Sequence, residues 1–335
     1  MKRRRLSNTV KLLSGDFVIV DLGSADSKGF RAELRELTKA VTLVELDAIS
    51  DSSNDETEYF KKITIRKAIG GKREKRTFYR RKFQQCSSFL CPTPQFISDY
   101  DLKYHFETVE EIELDCHTLP ALLQDAGIER VDFLKTDLEG SDFEILSTAP
   151  EIVGHSLVVQ SELRFQPFYI NEPSFCEAFE LLTSCGFELI SMHPEFWKYK
   201  TPHRQIQRDG RLVMADMIFF LNIQKVEEIF GLSAPRALAK QIIIAKALGL
   251  HNFAEWIYEN ARSQLSGDVS IELQQFLSRP KREALLLNRT ANMVSALPGG
   301  QKVLNAIRRE FTRLVNASSV SKSFPHLGTL FERSL

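Results

Sequence analysis

The residues best suited to chemistry lie in the stretch VDFLKTDLEG, residues 131–140. Val131, Phe133 and Leu134 bury a strand, and Lys135, Asp137 and Glu139 then follow at alternate positions before Gly140 admits a helical pattern. Side chains two apart on an extended chain share one face, so one cation and two carboxylates leave the strand together. A carboxylate within hydrogen-bond reach of a hydroxyl can take its proton, worth about 10²- to 10⁴-fold in rate. Asp137 is a candidate for that role, as is Glu162 in the next run SLVVQSEL, with Lys135 orienting or polarising the reacting group. The competing reading is a salt-bridged strand end without chemistry.

A binding loop stands earlier in the chain. VIVDLGSADSKGF (18–30) passes from strand to acid to small-residue turn to helix start. Gly23, Ser24 and Ala25 keep that turn small, so a ligand can approach the backbone beyond the strand's carboxyl end, where open α/β sheets bind ligands. Neither the phosphate loop G-x-x-x-x-G-K-[ST] nor the dinucleotide G-x-G-x-x-G is present, which favours a ligand without phosphates. Asp21 suits a cationic or amino-bearing one, such as the methionine portion of S-adenosylmethionine. About 20 residues on, VTLVELDA closes a second strand with Glu45 and then Asp47. A carboxylate there can accept from both ribose hydroxyls of a nucleoside. Glu45 is the better placed, since Asp47 can equally belong to the acidic loop that follows.

To hold these groups the chain must supply a sheet. β-rich runs at 16–23, 41–46, 63–70, 131–138, 156–163, 187–192 and 214–221 are separated by helical patterns at 29–39, 118–126, 141–149 and 173–185. This alternation predicts an α/β fold with a seven-stranded, mainly parallel sheet and helices on both faces. From about residue 223 strand signals vanish, so residues 1–223 read as the α/β domain and 224–335 as an all-helical appendage. Its stripe of Ile242, Ile243 and Ala245, with Trp256 and Ile257, is expected to pack on the chain's own core rather than on a partner or second copy.

Composition excludes several classes. With 335 residues, 43% hydrophobic, the chain can bury at least one full core, and its formal net charge of zero gives no global pull toward nucleic acid or anionic membrane. No apolar run reaches the roughly 20 residues of a membrane span, and the opening MKRRRLSNTVKLL lacks a signal-peptide pattern, so a cytoplasmic protein is expected. Five cysteines without C-x-x-C fit reduced thiols, and Cys86, Cys91, Cys116 and His117 match no compact zinc knuckle, so no metal is assigned. The basic run RKAIGGKREKRTFYRRK (66–82) interleaves aromatic and cationic residues as RNA-contacting patches do, although a solvated hairpin is the commoner reason. MHPEFWKYKTPHR, with His193, Trp197 and His203, could form an aromatic lid, against the commoner role of packing.

Taken in order, VIVDLGSADSKGF, VTLVELDA, KAIGGKREKRTFY, CSSFLCP, IELDCHTLPALLQDAGIERVDFLKTDLEGSDFEIL and SLVVQSELRF resemble the FkbM family of S-adenosylmethionine-dependent methyltransferases over about residues 16 to 222. The most specific tract is D-x-L-K-x-D-x-E-G, supported by the serine pair Ser87 and Ser88. The resemblance implies a Rossmann-like domain, S-adenosylmethionine as cofactor, and O-methylation of a sugar or complex natural product. By position it matches Asp21 and Gly23 to the cofactor loop, Glu45 to the acid closing the second strand and Ala68 and Ile69 to an adenine wall. Lys135, Asp137, Glu139 and Gly140 match the hallmark tract, and Glu162 an acid closing the next strand. The chain departs from the pattern at Ala25 and Ser27, where an asparagine and a second glycine are usual, and at Leu46 in place of proline. The expected acceptor is a saccharide or other small-molecule hydroxyl. The alternatives are an RNA methyltransferase using residues 66–82 and a fold that has kept its shape without catalysis.

Overall fold

A computed structural model describes residues 16–23, 37–49, 59–200 and 210–278. Ser24, Ala25, His203 and most of the helix expected at 29–39 lie outside them. The first strands are β1 (Phe17–Leu22, FVIVDL) and β2 (Val41–Leu46, VTLVEL), which are almost wholly buried, as expected of parallel strands covered on both faces. There follow β3 (Lys61–Ile65), β4 (Ala68–Ile69), β5 (Glu74–Arg81), β6 (Thr108–His117), β7 (Phe133–Thr136), β8 (Val158–Arg164), β9 (Phe187–Trp197) and β10 (Arg211–Leu221).

Seven of them form one sheet in the order β3-β2-β1-β7-β8-β10-β9. The first five are mutually parallel, and β10 runs antiparallel to both β8 and β9. Chain order reverses between β1 and β7, and ligands bind beyond the carboxyl ends of strands at such a reversal. Asp21, Gly23, Lys135 and Asp137 all lie at this point of the sheet.

Two strand expectations are corrected. The run 63–70 divides between two sheets, because β3 pairs with β2 while β4 joins a three-stranded sheet β4-β6-β5. The basic segment is no local hairpin either. β5 pairs antiparallel with β6, with Arg80 opposite Glu110 and Thr77 opposite Glu113, and β6 carries no apolar strand signal because its acids (TVEEIELDCH) make it a polar stretch.

The described helices are α1 (Pro94–Tyr100), α2 (Leu119–Asp125), α3 (Asp142–Thr148), α4 (Pro150–His155), α5 (Phe175–Ser184), α6 (Ile223–Phe230), α7 (Ala234–Ala247), α8 (His251–Ala261) and α9 (Gly267–Leu277). Helix α5 starts on a capping box, in which Ser174 and Glu177 each satisfy the other's backbone N–H. None of these helices is long and apolar enough to cross a membrane.

The chain forms two compact units, Met1–Leu277 and Ser278–Leu335, and from residue 279 the second lies outside the described residues. Within the first, Leu238, Ile242, Ile243, Ile244 and Ala245 of α7 share one buried cluster with Val20, Phe133, Val159 and Phe219 of the sheet. Gln241 Nε2 donates to the carbonyls of Leu157 (3.2 Å) and Leu221 (2.7 Å), and Lys240 Nζ reaches both oxygens of Asp132 at 2.8 and 2.9 Å. The helices up to residue 277 therefore belong to the core of the sheet. Trp256 differs, being half exposed and stacked on Phe253.

Candidate functional site

The site begins at Gly23. Its φ is +81°, and a Cβ there would fall 1.9 Å from the carbonyl oxygen of Asp137, so only glycine lets the exits of β1 and β7 touch. Gly23 N donates to Leu46 O and Asp137 N to Leu22 O, both at 3.1 Å, tying three strand ends at one spot.

Beneath this junction Asp21 lies in register with both Glu45 and Lys135. Lys135 Nζ stands 3.4 Å from Asp21 Oδ1 and 3.2 Å from Asp137 Oδ2. Burial pulls the Lys135 pKa down, but Asp21 and Asp137 outweigh it and hold the amine above its usual range. Lys135 is thus a fixed cation that positions two acids. Asp21 is fully buried, and its Oδ2 has no hydrogen-bond partner among the described residues. Burial raises its pKa, with Lys135 opposing and Asp137 and Glu45 adding to it.

A cavity of about 620 Å³ opens in front of the junction. Gly23, Asp47, Ala68, Ile69, Asp137 and Glu162 line it, which brings together much of the expected constellation. Asp21, Lys135 and Glu45 are not on the wall. Glu45 is fully buried, with Lys62 Nζ 3.0 Å away and almost as deeply buried. Asp47, one residue past the strand, reaches the cavity instead, its Oδ1 accepting from Ile49 N at 2.8 Å. Glu45, in register with Asp21, stays within the sheet layer, while Asp47 lies past the end of β2, where the strand's alternation no longer binds it and the side chain can turn outward.

The DLEG turn is built more closely than its sequence suggested. Glu139 has φ +50° and Gly140 φ +94°. A Cβ on Gly140 would meet Tyr169 Cδ2 at 2.7 Å and Leu90 Cδ1 at 3.0 Å, so the missing side chain lets the buried Tyr169 ring lie over the turn. Tyr169 Oη then donates to Glu139 Oε2 at 2.7 Å, and Ser88 Oγ donates to the Glu139 carbonyl at 2.6 Å. Arg164, at the end of β8 with its side chain 3% exposed, donates to Glu139 Oε2 at 3.0 Å, to Glu162 Oε1, and to Glu172 Oε1 at 3.3 Å. Asp142 completes the ring at 3.9 Å from Arg164 and caps Leu138 N at 3.2 Å.

One oxygen each of Asp137, Glu139 and Glu162 lies within 4.8 Å of the others. For Glu139 and Glu162 the counter-charge is the Arg164 guanidinium. Burial drives the Glu139 carboxyl up to about 7, against the pull of Arg164 and the Tyr169 hydrogen bond and with the help of Asp137 and Asp142. Burial also raises Glu162 well above the carboxylate range, with Arg164 opposing. Glu139 belongs to the tract that the sequence singles out, without a role of its own there, while Arg164 and Tyr169 carry no local signal beyond the alternation along S-E-L-R, which puts Arg164 on the Glu162 face.

The other half of the cavity is aromatic. Phe78, Phe83, Phe89, Phe106, Phe168 and Trp197 line it. Phe96 stacks on Phe168 with centroids 3.9 Å apart, and Trp197 lies 5.3 Å from Phe168. The expected aromatic insertion is therefore in part the end of β9. Of the basic segment, Arg76, Arg80 and Lys82 stand 2.9, 2.8 and 3.0 Å from Glu144, Glu110 and Glu107.

An open sheet with its crevice at the order reversal, lined by carboxylates on one side and rings on the other, defines a Rossmann-like ligand-binding domain. Residues 26–189 match the methyltransferase FkbM domain family. Among solved structures it is similar to Streptococcus pneumoniae Sp1610, a candidate tRNA (m1A22) methyltransferase, at 10% identity and a TM-score of 0.27 over 83% of this chain and 100% of that one. A protein in the NADB-Rossmann superfamily from Streptococcus agalactiae gives the same identity and score over 83% and 98%. No curated protein matches the sequence.

Such a domain implies S-adenosylmethionine, a cation with an amino-acid end and a nucleoside end. The residues fit it. Gly23 leaves backbone open where a Cβ has no room, Asp21 keeps a buried oxygen with no partner among the described residues, and Asp47 adds a carboxylate to a wall shared with Ala68 and Ile69.

Proposed function

We propose that this methyltransferase-domain protein uses S-adenosylmethionine to O-methylate a hydroxyl of a saccharide, glycoconjugate or related natural product. The observation that carries the reading is the divided cavity, with carboxylates converging at the strand reversal and aromatic rings facing them. When bound, S-adenosylmethionine supplies a methyl group on a positively charged sulfur. Gly23, Asp21, Asp47, Ala68 and Ile69 would hold it, with Lys135 keeping Asp21 and Asp137 in place. Transfer to oxygen requires alignment and exclusion of water. Trp197 and Phe168 supply apolar surface for the latter and flat faces against which the C–H side of a sugar ring can pack. A carboxylate of the group Asp137, Glu139 and Glu162 takes the hydroxyl proton.

The RNA reading is weakened by the acids set against Arg76, Arg80 and Lys82, since paired cations have less charge to offer phosphates. A cytoplasmic setting is part of the proposal. The test is calorimetric titration with S-adenosylmethionine and S-adenosylhomocysteine, then a screen of methyl glycosides for methyl transfer. Saturable binding lost in Asp21→Ala supports the cofactor site. Absence of binding to the wild-type protein would bring the non-catalytic reading forward.

A further inference from the structure

We infer that Glu139, rather than Asp137 or Glu162, is the general base for the acceptor hydroxyl, and that Tyr169 and Arg164 are positioning residues that hold it. The inference rests on the methyltransferase reading and deepens it. Both described hydrogen bonds to the Glu139 side chain, from Tyr169 Oη and Arg164, fall on Oε2, and no described hydrogen bond falls on Oε1. The side chain lines the cavity and keeps 24% exposure, so its second oxygen is the one available to a hydroxyl. The backbone is committed to this aim. Glu139 sits at φ +50°, a left-handed conformation that costs a non-glycine residue energy and persists where neighbours enforce it. The enforcing contacts are Ser88 on its carbonyl and Tyr169 across Gly140.

The rivals are occupied differently. Asp137 Oδ2 faces the fixed Lys135 cation, so Asp137 is committed to holding the lysine. Glu162 lends Oε1 to Arg164, and burial, with Arg164 opposing and the neighbouring carboxylates adding to it, raises its carboxyl well above the ordinary range. The charged and titratable groups facing Glu139 are Asp137 in its own turn, Glu162 and Arg164 of β8, Asp142 of α3, Tyr169 of the segment after β8, and Cys86. Their balance leaves Glu139 near neutrality, where a base accepts and releases a proton readily. In the step, the acceptor O–H bond breaks and its proton passes to Glu139 Oε1. The oxygen keeps the electron pair and takes the methyl carbon, the carbon–sulfur pair staying on sulfur. Glu139 then returns the proton to solvent through the cavity.

The test uses the full chain labelled with ¹³C at glutamate Cδ and saturated with S-adenosylhomocysteine, the Glu139 signal being assigned by its loss in Glu139→Gln. A midpoint at about 7 is expected, moving upward in Tyr169→Phe as a donor to the carboxylate is removed. With any methyl glycoside that turns over, Glu139→Gln should lower kcat by about 10²- to 10⁴-fold, with S-adenosylhomocysteine affinity within about twofold of wild type. A Glu139 midpoint below about pH 5, in the ordinary carboxylate range, overturns the role. So does an unchanged kcat in Glu139→Gln, or a divalent-cation requirement that Glu139→Gln abolishes. If no glycoside is methylated, the midpoint and its response to Tyr169→Phe decide. Failure of the wild-type protein to bind S-adenosylhomocysteine sinks the methyltransferase reading itself, takes this role with it, and is seen before any variant is made.

Discussion

The ion pair between Lys240 of α7 and Asp132, just before β7, offers a direct test of whether the C-terminal helices stabilise the sheet. Both side chains are 2% exposed, and Lys240 Nζ reaches the two carboxylate oxygens at 2.8 and 2.9 Å. Lys240→Met fills the space but leaves a buried carboxylate without its cation, a change that costs about 3–5 kcal/mol. The lower figure applies here, because Asp132 Oδ2 still accepts from Val18 N at 2.9 Å and Arg130 Nε stays 3.6 Å from Oδ1. At about 2–4 °C per kcal/mol for a unit of this size, differential scanning calorimetry at pH 7 should show Tm falling by roughly 6–12 °C. Adding Asp132→Asn removes the stranded charge while keeping an acceptor for Val18, so the double variant should recover more than half of the loss. A fall in Lys240→Met of less than about 2 °C would refute the reasoning, as would additive losses in the double variant.

Three further outcomes are expected. Gly23→Ala, whose methyl would sit 1.9 Å from the Asp137 carbonyl, should abolish S-adenosylhomocysteine binding in calorimetry by forcing β1 and β7 apart. Asp47→Asn should weaken that binding more than Glu45→Gln does, because Asp47 is on the cavity wall and Glu45 is sealed against Lys62; the reverse order would return the ribose role to Glu45. Stability should also fall as pH rises from about 4.5, the ordinary glutamate value, through about 7. Glu139 in the folded chain holds its proton to about 7, so over that interval the folded state binds more protons than the unfolded one. Thermal melts from pH 5 to 8 should show this slope reduced in Glu139→Gln.

What the sequence by itself determined is local and periodic. Apolar runs such as FVIVDL and VVQSEL mark strands buried on both faces, and alternation along LKTDLEG puts Lys135, Asp137 and Glu139 on one face without any knowledge of neighbours. The tight turn at Gly23 was legible for the same reason, since small residues after a strand concern only the chain around them. Which partner each group meets is a different kind of fact. Arg164 joins Glu139 from 25 residues away and Lys240 reaches Asp132 across 108, separations over which no periodicity acts. Tertiary packing therefore decided that Glu45 is sealed while Asp47 faces the cavity, that β5 finds β6 rather than a near neighbour, and that the helices up to residue 277 complete the core. It also decided the character of the acids. Composition supplies carboxylates, but only their burial around one guanidinium makes Glu139 a group that titrates near neutrality, because the cost of a charge depends on the surroundings the fold gives it.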